Sequence, residues 1–215
     1  MNTIGDDIGM KLYYSHNLNP RVAVAVARHL QSPVEYIRAR PFHPAQIDAF
    51  RKLNPNTRVP VLEEGGHTLW ETDAIACRLS ELAGSDFWRR DGSQPQMVMW
   101  ISWATHHLTN AASVLYFEHV VIPQFPPQMR PPSAAAEKLK EASQEFRQYA
   151  AILDAHLASR SWLLDDGRLS YADFRVATAL PFAAQAGLPL AEFANVARWH
   201  ESLMQLDAWR EPFKD

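Results

Sequence analysis

The chain has 215 residues, 47% hydrophobic and 21% charged, which gives it the length and apolar content to bury a sizeable core. Lys plus Arg number 21 against 24 Asp plus Glu, and the resulting net charge of -3 supplies no positive field for nucleic acid or anionic lipid. Cys77 is the only cysteine, which rules out an intrachain disulfide and a thiolate-built zinc site; with no signal peptide or membrane span legible, a cytoplasmic setting is expected.

Residues 11–14 (KLYY) and 34–38 (VEYIR) are β-prone, and the Ala- and Val-rich stretch NPRVAVAVARHL between them predicts a helix packed closely on a sheet. Asn19 is a good N-cap and Pro20 suits a first turn, so the helix is expected to start there and end near Gln31. PAQIDAFRKLN predicts a short amphipathic helix halted by Pro55. VPVLEE and HTLWE, joined by Gly65 and Gly66, read as a hairpin, and TDAIACRLSELAG as a helix with Ile75, Leu79 and Leu82 on one face. The predicted order is βαβαββα.

From Asp91 to Pro95 the chain turns polar, as a linker does. Beyond it the pattern is helical: one long helix over 95–120, then helices over 133–159, 171–186 and 194–206. The segment IPQFPPQMRPPS between the first two is too rich in proline for a helix interior and is expected as an extended loop.

Three motifs stand out chemically. Proline cannot donate to a β ladder, so Pro60 in RVPVLEE must open its strand, and a cis Val59–Pro60 bond would present the backbone of Val59 to an extended peptide-like ligand. Taken alone, Pro60 also reads as an ordinary strand-edge proline. Glu71 and Thr72 stand where a hairpin runs into a helix. The free N–H groups and positive dipole end there favour a carboxylate, while the Glu71 carboxylate suits an ammonium; together they would read an amino-acid head group, though the pair also reads as a simple cap. In LSYADF, Ser170 and Asp173 have the spacing of a capping box, which predicts a folding role for Asp173.

KLYYS, NPRVAVAVA, LNPNTRVPVLEE, LWETDAIACRL, LSYADFRVATALP and NVARWHESL, in this order across residues 10–210, resemble a cytosolic glutathione transferase of theta-, phi- or beta-like type. The resemblance implies an α/β thioredoxin-like N-terminal domain over 10–88 and an all-α C-terminal domain over 95–215. It further implies glutathione as co-substrate with no metal, a small hydrophobic electrophile as second substrate, and a homodimer acting in detoxification. Val59 and Pro60 would bind the cysteinyl backbone of glutathione, and Glu71 and Thr72 its γ-glutamyl head. Arg58, with His43 less firmly matched, would lie near the glycyl carboxylate.

The expected chemistry is attack of the glutathione thiolate on an electrophilic carbon. A free thiol has a pKa near 8.5, so the thiolate needs a hydrogen-bond donor at the end of the first strand. Ser15, Asn19 and Tyr14 compete for that role; Ser15 is favoured, Asn19 is second, and Tyr14 reads better as a core aromatic. His16 is either a proton acceptor or a loop residue. Cys77 lies within a helix and reads as structural. The electrophile site is expected between the domains, near His16, His107 and Tyr116. A non-catalytic glutathione-binding or protein-interaction module of the same fold is the rival reading, and an isomerase or dehalogenase is a further alternative within the enzyme class.

Overall fold

The computed structural model describes residues 9–41 and 43–214. The chain forms two compact units, Met1–Trp88 with Glu211–Asp215, and Arg89–Arg210.

The first unit runs β1 (Met10–Tyr14), α1 (Leu18–His29), β2 (Val34–Arg38), α2 (Ile47–Leu53), β3 (Val61–Glu64), β4 (His67–Trp70) and α3 (Thr72–Leu82). This is the thioredoxin-like βαβαββα order. Its sheet has the order β2-β1-β3-β4, with β1 parallel to β2 and antiparallel to β3, and β3 antiparallel to β4. Every residue of α1 from Pro20 to Ala27 is buried. Unbroken Val and Ala therefore reflect a helix with no exposed face over two turns, and burying each of its valines contributes about 1.5–3 kcal/mol relative to exposure.

The start of α1 differs from expectation. The N-cap is Asn17, in extended conformation (φ -105°, ψ 172°), and its carbonyl accepts from Arg21 N–H at 2.9 Å. Pro20 thus occupies the third helical position, still among the first-turn residues whose N–H groups have no helical partner. At the other end Gln31 has φ 51° and Ser32 N–H donates to Ala27 C=O at 2.8 Å, an arrangement that usually employs glycine. Gln31 is exposed. Gln31→Gly removes the left-handed strain, partly offset by glycine's greater unfolded-state entropy, and is expected to raise stability by about 0.5–1 kcal/mol in urea unfolding.

In the second unit α4 (Gln94–Trp103) runs through a π-helical turn at Ala104–Leu108 into α5 (Thr109–Tyr116) and a second π turn at Phe117–Val121. At the first, Thr105 Oγ1 donates to Ile101 C=O (2.9 Å) and His106 Nδ1 lies 2.9 Å from Ser102 C=O, side-chain contacts that compete with the regular ladder. The proline-rich segment is extended, with short 3₁₀ turns at Ile122–Gln124 and Pro127–Met129. There follow α6 (Ala136–Leu157), α7 (Tyr171–Val176), α8 (Ala183–Ala186), α9 (Ala194–Met204) and α10 (Asp207–Arg210). The single helix expected over 171–186 ends instead at Val176: the N–H groups of Thr178 and Leu180 turn to Arg175 C=O and Ala177 C=O, three residues back, ahead of Pro181, which cannot donate, and α8 starts only after a 3₁₀ turn at Leu180–Phe182. Phe146, Leu153, Tyr171, Phe174, Trp199 and Trp209 form its fully buried interior. Among the described residues, no helix is long and apolar enough to cross a membrane.

Candidate functional site

Strand pairing brings the sequence motifs of the first unit together. Tyr13 pairs with Val61, and Val61 with Trp70, so the end of β1, the start of β3 and the end of β4 meet at one end of the sheet. From that end the chain leaves β1 through Ser15, His16 and Asn17 into α1, enters β3 through Val59–Pro60, and leaves β4 through Glu71 into α3. Two helix N-termini thus open beside one strand entry. Thr72 Oγ1 donates to Asn19 C=O at 3.2 Å, a direct tie between residues 53 apart in sequence.

The Val59–Pro60 bond is cis. Pro60 is buried, and half-buried Val59 packs on the cluster of Ala39, Phe50 and Val61. Asn54 governs the approach to it, a role the sequence did not reveal. Buried to 3% exposure, Asn54 donates through Nδ2 to Arg58 C=O (2.8 Å) and accepts at Oδ1 from Asn56 N–H (2.9 Å). The "LNPN" pattern could have signalled this, since an Asn side chain closing its own turn is common before a strand.

Glu71 is exposed and has φ 75°, ψ 130°, a conformation uncommon for a residue with a side chain. Its carbonyl accepts from Ile75 N–H at 3.1 Å, which starts α3. The first N–H groups of α3 have no intrahelical acceptors, so the positive end of an 11-residue helix opens beside the Glu71 carboxylate. Thr72 is 3% exposed. Its one hydroxyl proton is directed to Asn19 C=O, so a ligand carboxylate would compete with that carbonyl for it.

Ser15 is half-buried and Asn19 exposed, the first in the loop and the second in the opening turn of α1. The two tyrosines of β1 divide between the sheet faces. Tyr13 donates from its hydroxyl to Glu63 Oε2 (2.7 Å) and packs edge-on to Phe50; burial and that carboxylate push its pKa up to about 12, so it stays protonated. Tyr14 contacts Tyr36 edge-on and stacks with His16. Burial, then the Arg38 charge, hold the His16 imidazole below its ordinary 6.5, which favours the neutral ring.

His43 and Arg58 are both exposed. His43 Nδ1 accepts from Ala45 N–H at 3.3 Å, and its C=O accepts from the N–H groups of Gln46 and Ile47, so this histidine shapes the entry to α2. Cys77 is half-buried within α3. In the helical unit, the His107 ring lies 4.9 Å from Tyr149 and 6.3 Å from Trp103. Tyr116 is 4% exposed, edge-on to Phe182 at 4.9 Å, and burial raises its pKa.

Comparison with known proteins agrees with this architecture. The family profile of the glutathione S-transferase N-terminal domain matches residues 9–79, and that of the C-terminal domain matches residues 134–202. Among curated proteins, elongation factor 1-gamma of Equus caballus and of Bos taurus are each 30% identical over 196 residues, covering 86% of this chain. This chain spans 42% and 41% of their respective lengths. A solved glutathione S-transferase I bound with lactoylglutathione superposes with a TM-score of 0.84 at 19% identity, over 95% of this chain and 98% of that one. Human glutathione S-transferase T1-1 in its apo form gives 0.82 at 22% identity, over 95% and 87%. Ure2p in complex with S-hexylglutathione gives 0.80 at 20% identity, over 96% and 98%. With both domains matched in their order along the sequence, the chain belongs to the glutathione S-transferase family.

Proposed function

We propose that the protein is a glutathione transferase acting on small hydrophobic electrophiles. Glutathione would lie at the end of the first unit where β1, β3 and β4 meet. The reading rests chiefly on Glu71: a non-glycine residue held at φ 75° at the mouth of a helix, next to a hydroxyl tied to the start of a second helix. Strain of this kind costs about 1–3 kcal/mol and clusters at ligand-binding sites. In the proposed step the sulfur of glutathione, its proton given up to solvent or His16, forms a bond to the electrophilic carbon as the leaving group departs with its electron pair. Ser15 stabilises the thiolate by donating its hydroxyl proton. Val59 would pair with the cysteinyl backbone, with Arg58 and His43 on the glycyl side and His16 on the electrophile side. The same reading takes the protein as a cytoplasmic homodimer.

Retention on immobilised glutathione and a rise in melting temperature at millimolar glutathione are expected; absence of both overturns the reading. Glu71→Gly separates its two halves. It relieves the strained backbone, so stability is expected to rise by about 0.5–1 kcal/mol. It also deletes the carboxylate facing the ligand ammonium, so glutathione affinity is expected to fall about tenfold, as loss of a charged hydrogen bond implies. Thermal melts and calorimetric titration of the same preparation read both.

The rival reading, a glutathione-binding module without catalysis, draws on the curated relatives, elongation factor 1-gamma chains more than twice as long. Thiolate absorbance of bound glutathione decides between them. A bound-thiol pKa below the free value supports the transferase, and an unchanged one the module.

A further inference from the structure

Residues Glu211–Asp215 belong to the same compact unit as β1 and α1, although the whole helical unit intervenes in the chain. In this return segment Pro212 is buried and Phe213 half-buried. The Phe213 ring centroid lies 4.2 Å from that of His16, with 20° between planes, and 5.5 Å from that of Tyr14, with 12°. Tyr14 and His16 are themselves 6.0 Å apart at 17°. Three nearly parallel rings therefore join the last residue of β1, the second residue of the following loop and the return segment. Ser15 is the residue that joins Tyr14 to His16 in the chain.

Backbone bonds anchor this loop on either side: Tyr14 C=O accepts from Ala39 N–H (2.8 Å) and Asn17 C=O from Arg21 N–H (2.9 Å). His16 lies between those anchors and is an exposed residue overall, so its ring is not fixed by enclosure in the core. What meets its ring is Phe213 on one segment and Tyr14 on another, with the Arg38 guanidinium of β2 as the charged group acting on it.

We propose that Phe213 is a positioning residue for the thiol-activating loop: its ring, stacked on His16 and Tyr14, holds Ser15 in one conformation at the end of β1. This rests on the reading above that Ser15 acts on the thiol. Phe213 does its work through the loop. Glu71, Thr72 and Val59 stand on other elements, so the loss of Phe213 should act on turnover more than on glutathione binding. Loss of an aromatic stack corresponds to a roughly three- to tenfold change in the equilibrium it biases.

The test compares the full chain with Phe213→Ala and Phe213→Tyr. Amide hydrogen exchange across residues 15–18, the NMR titration of the His16 ring, and steady-state kinetics with glutathione and a dinitrochlorobenzene are the readouts. In Phe213→Ala, exchange in the loop is expected to rise about three- to tenfold, and the His16 midpoint to move up as its ring gains solvent. The kcat should fall by a similar factor while the KM for glutathione changes less than twofold. Phe213→Tyr, which keeps the ring, should restore all of them. Unchanged loop exchange and an unchanged His16 midpoint in Phe213→Ala would overturn the inference. If Phe213→Ala fails to fold, His16→Ala breaks the same stack from the other side, and faster exchange at residues 211–214 is then the supporting result, unchanged exchange the opposing one. Exchange and titration need no glutathione, so a wild-type protein that neither binds nor conjugates it would sink the transferase reading without being confused with failure of the clamp.

Discussion

Replacing Asp173 with alanine is expected to lower global stability by about 3–5 kcal/mol, the range for stripping a buried charge or its partners from a hydrogen-bonded network. The carboxylate is fully buried. Its Oδ1 accepts from Leu163 N–H (3.0 Å) and Trp199 Nε1 (3.0 Å), and its Oδ2 from Ser170 N–H (2.9 Å) and Ser170 Oγ (3.1 Å). One side chain thus joins the loop before α7, the capping box of α7 and the indole of α9. Alanine leaves those donors buried without an acceptor, at about 1–3 kcal/mol for each that finds no substitute. Asp173→Asn keeps the shape but turns an N–H₂ toward two of the donors, so it should lose less than alanine and still destabilise. Urea unfolding of the three proteins gives the order, and the folded fraction of each should keep wild-type glutathione affinity, since every proposed glutathione contact lies in the first unit.

The same carboxylate carries a pH signature. Burial pushes its pKa up to about 6, against the pull of its four donors, from an ordinary 3.8 in the unfolded chain. A raised carboxyl pKa means that the folded state binds the proton more tightly. The contribution of Asp173 is therefore fully present below about pH 4 and declines as pH rises through 6. A difference of about two units corresponds to about 3 kcal/mol. Relative to Asp173→Asn, the wild type should thus gain stability between pH 7.5 and pH 5. A difference between the two that stays constant over this range would mean that the donors, not burial, dominate the site.

Sequence pattern reaches some of these features and not others, for physical reasons. The βαβαββα order was legible because Val and Ala without polar contrast, Gly65–Gly66 and proline stops are local signals. The Ser170–Asp173 capping box was legible because its spacing is fixed by one helical turn. The break between α7 and α8 is not legible because hydrophobic periodicity continues through it while the backbone N–H groups from Thr178 onward turn to acceptors three residues back. The positive φ values of Gln31, Thr57 and Glu71 could not be read, because left-handed backbone is predicted from glycine and none of the three is glycine. The N-cap of α1 lies at Asn17, two residues before the Asn19 that the pattern predicts, because the two asparagines have equal capping chemistry and only tertiary contact chooses between them; Thr72 Oγ1 on Asn19 C=O is one such contact. Phe213 on His16 joins segments so far apart in the chain that no local pattern encodes the pairing.

That position of Asn19 bears on which group activates the thiol. Ser15 precedes the N-cap of α1 and leaves the end of β1, beside the strand entry at Val59–Pro60; Asn19 already lies within the helix, its carbonyl engaged by Thr72. Ser15→Ala is accordingly expected to lower kcat/KM by about 10- to 100-fold, which is the loss of one hydrogen bond to a charged group of about 1.5–3 kcal/mol. The pKa of bound glutathione should rise by about one to two units in step, since each unit is worth 1.36 kcal/mol. Asn19→Ala, by the same geometry, should cost less than about fivefold, roughly the loss of one neutral hydrogen bond. The pH dependence of conjugation and the thiolate absorbance of the bound thiol measure these shifts independently of substrate affinity. A larger loss in Asn19→Ala than in Ser15→Ala would assign the amide instead. If both variants keep full turnover and a low thiol pKa, the activating charge comes from the α1 N-terminus alone, through backbone N–H groups that no side-chain substitution removes.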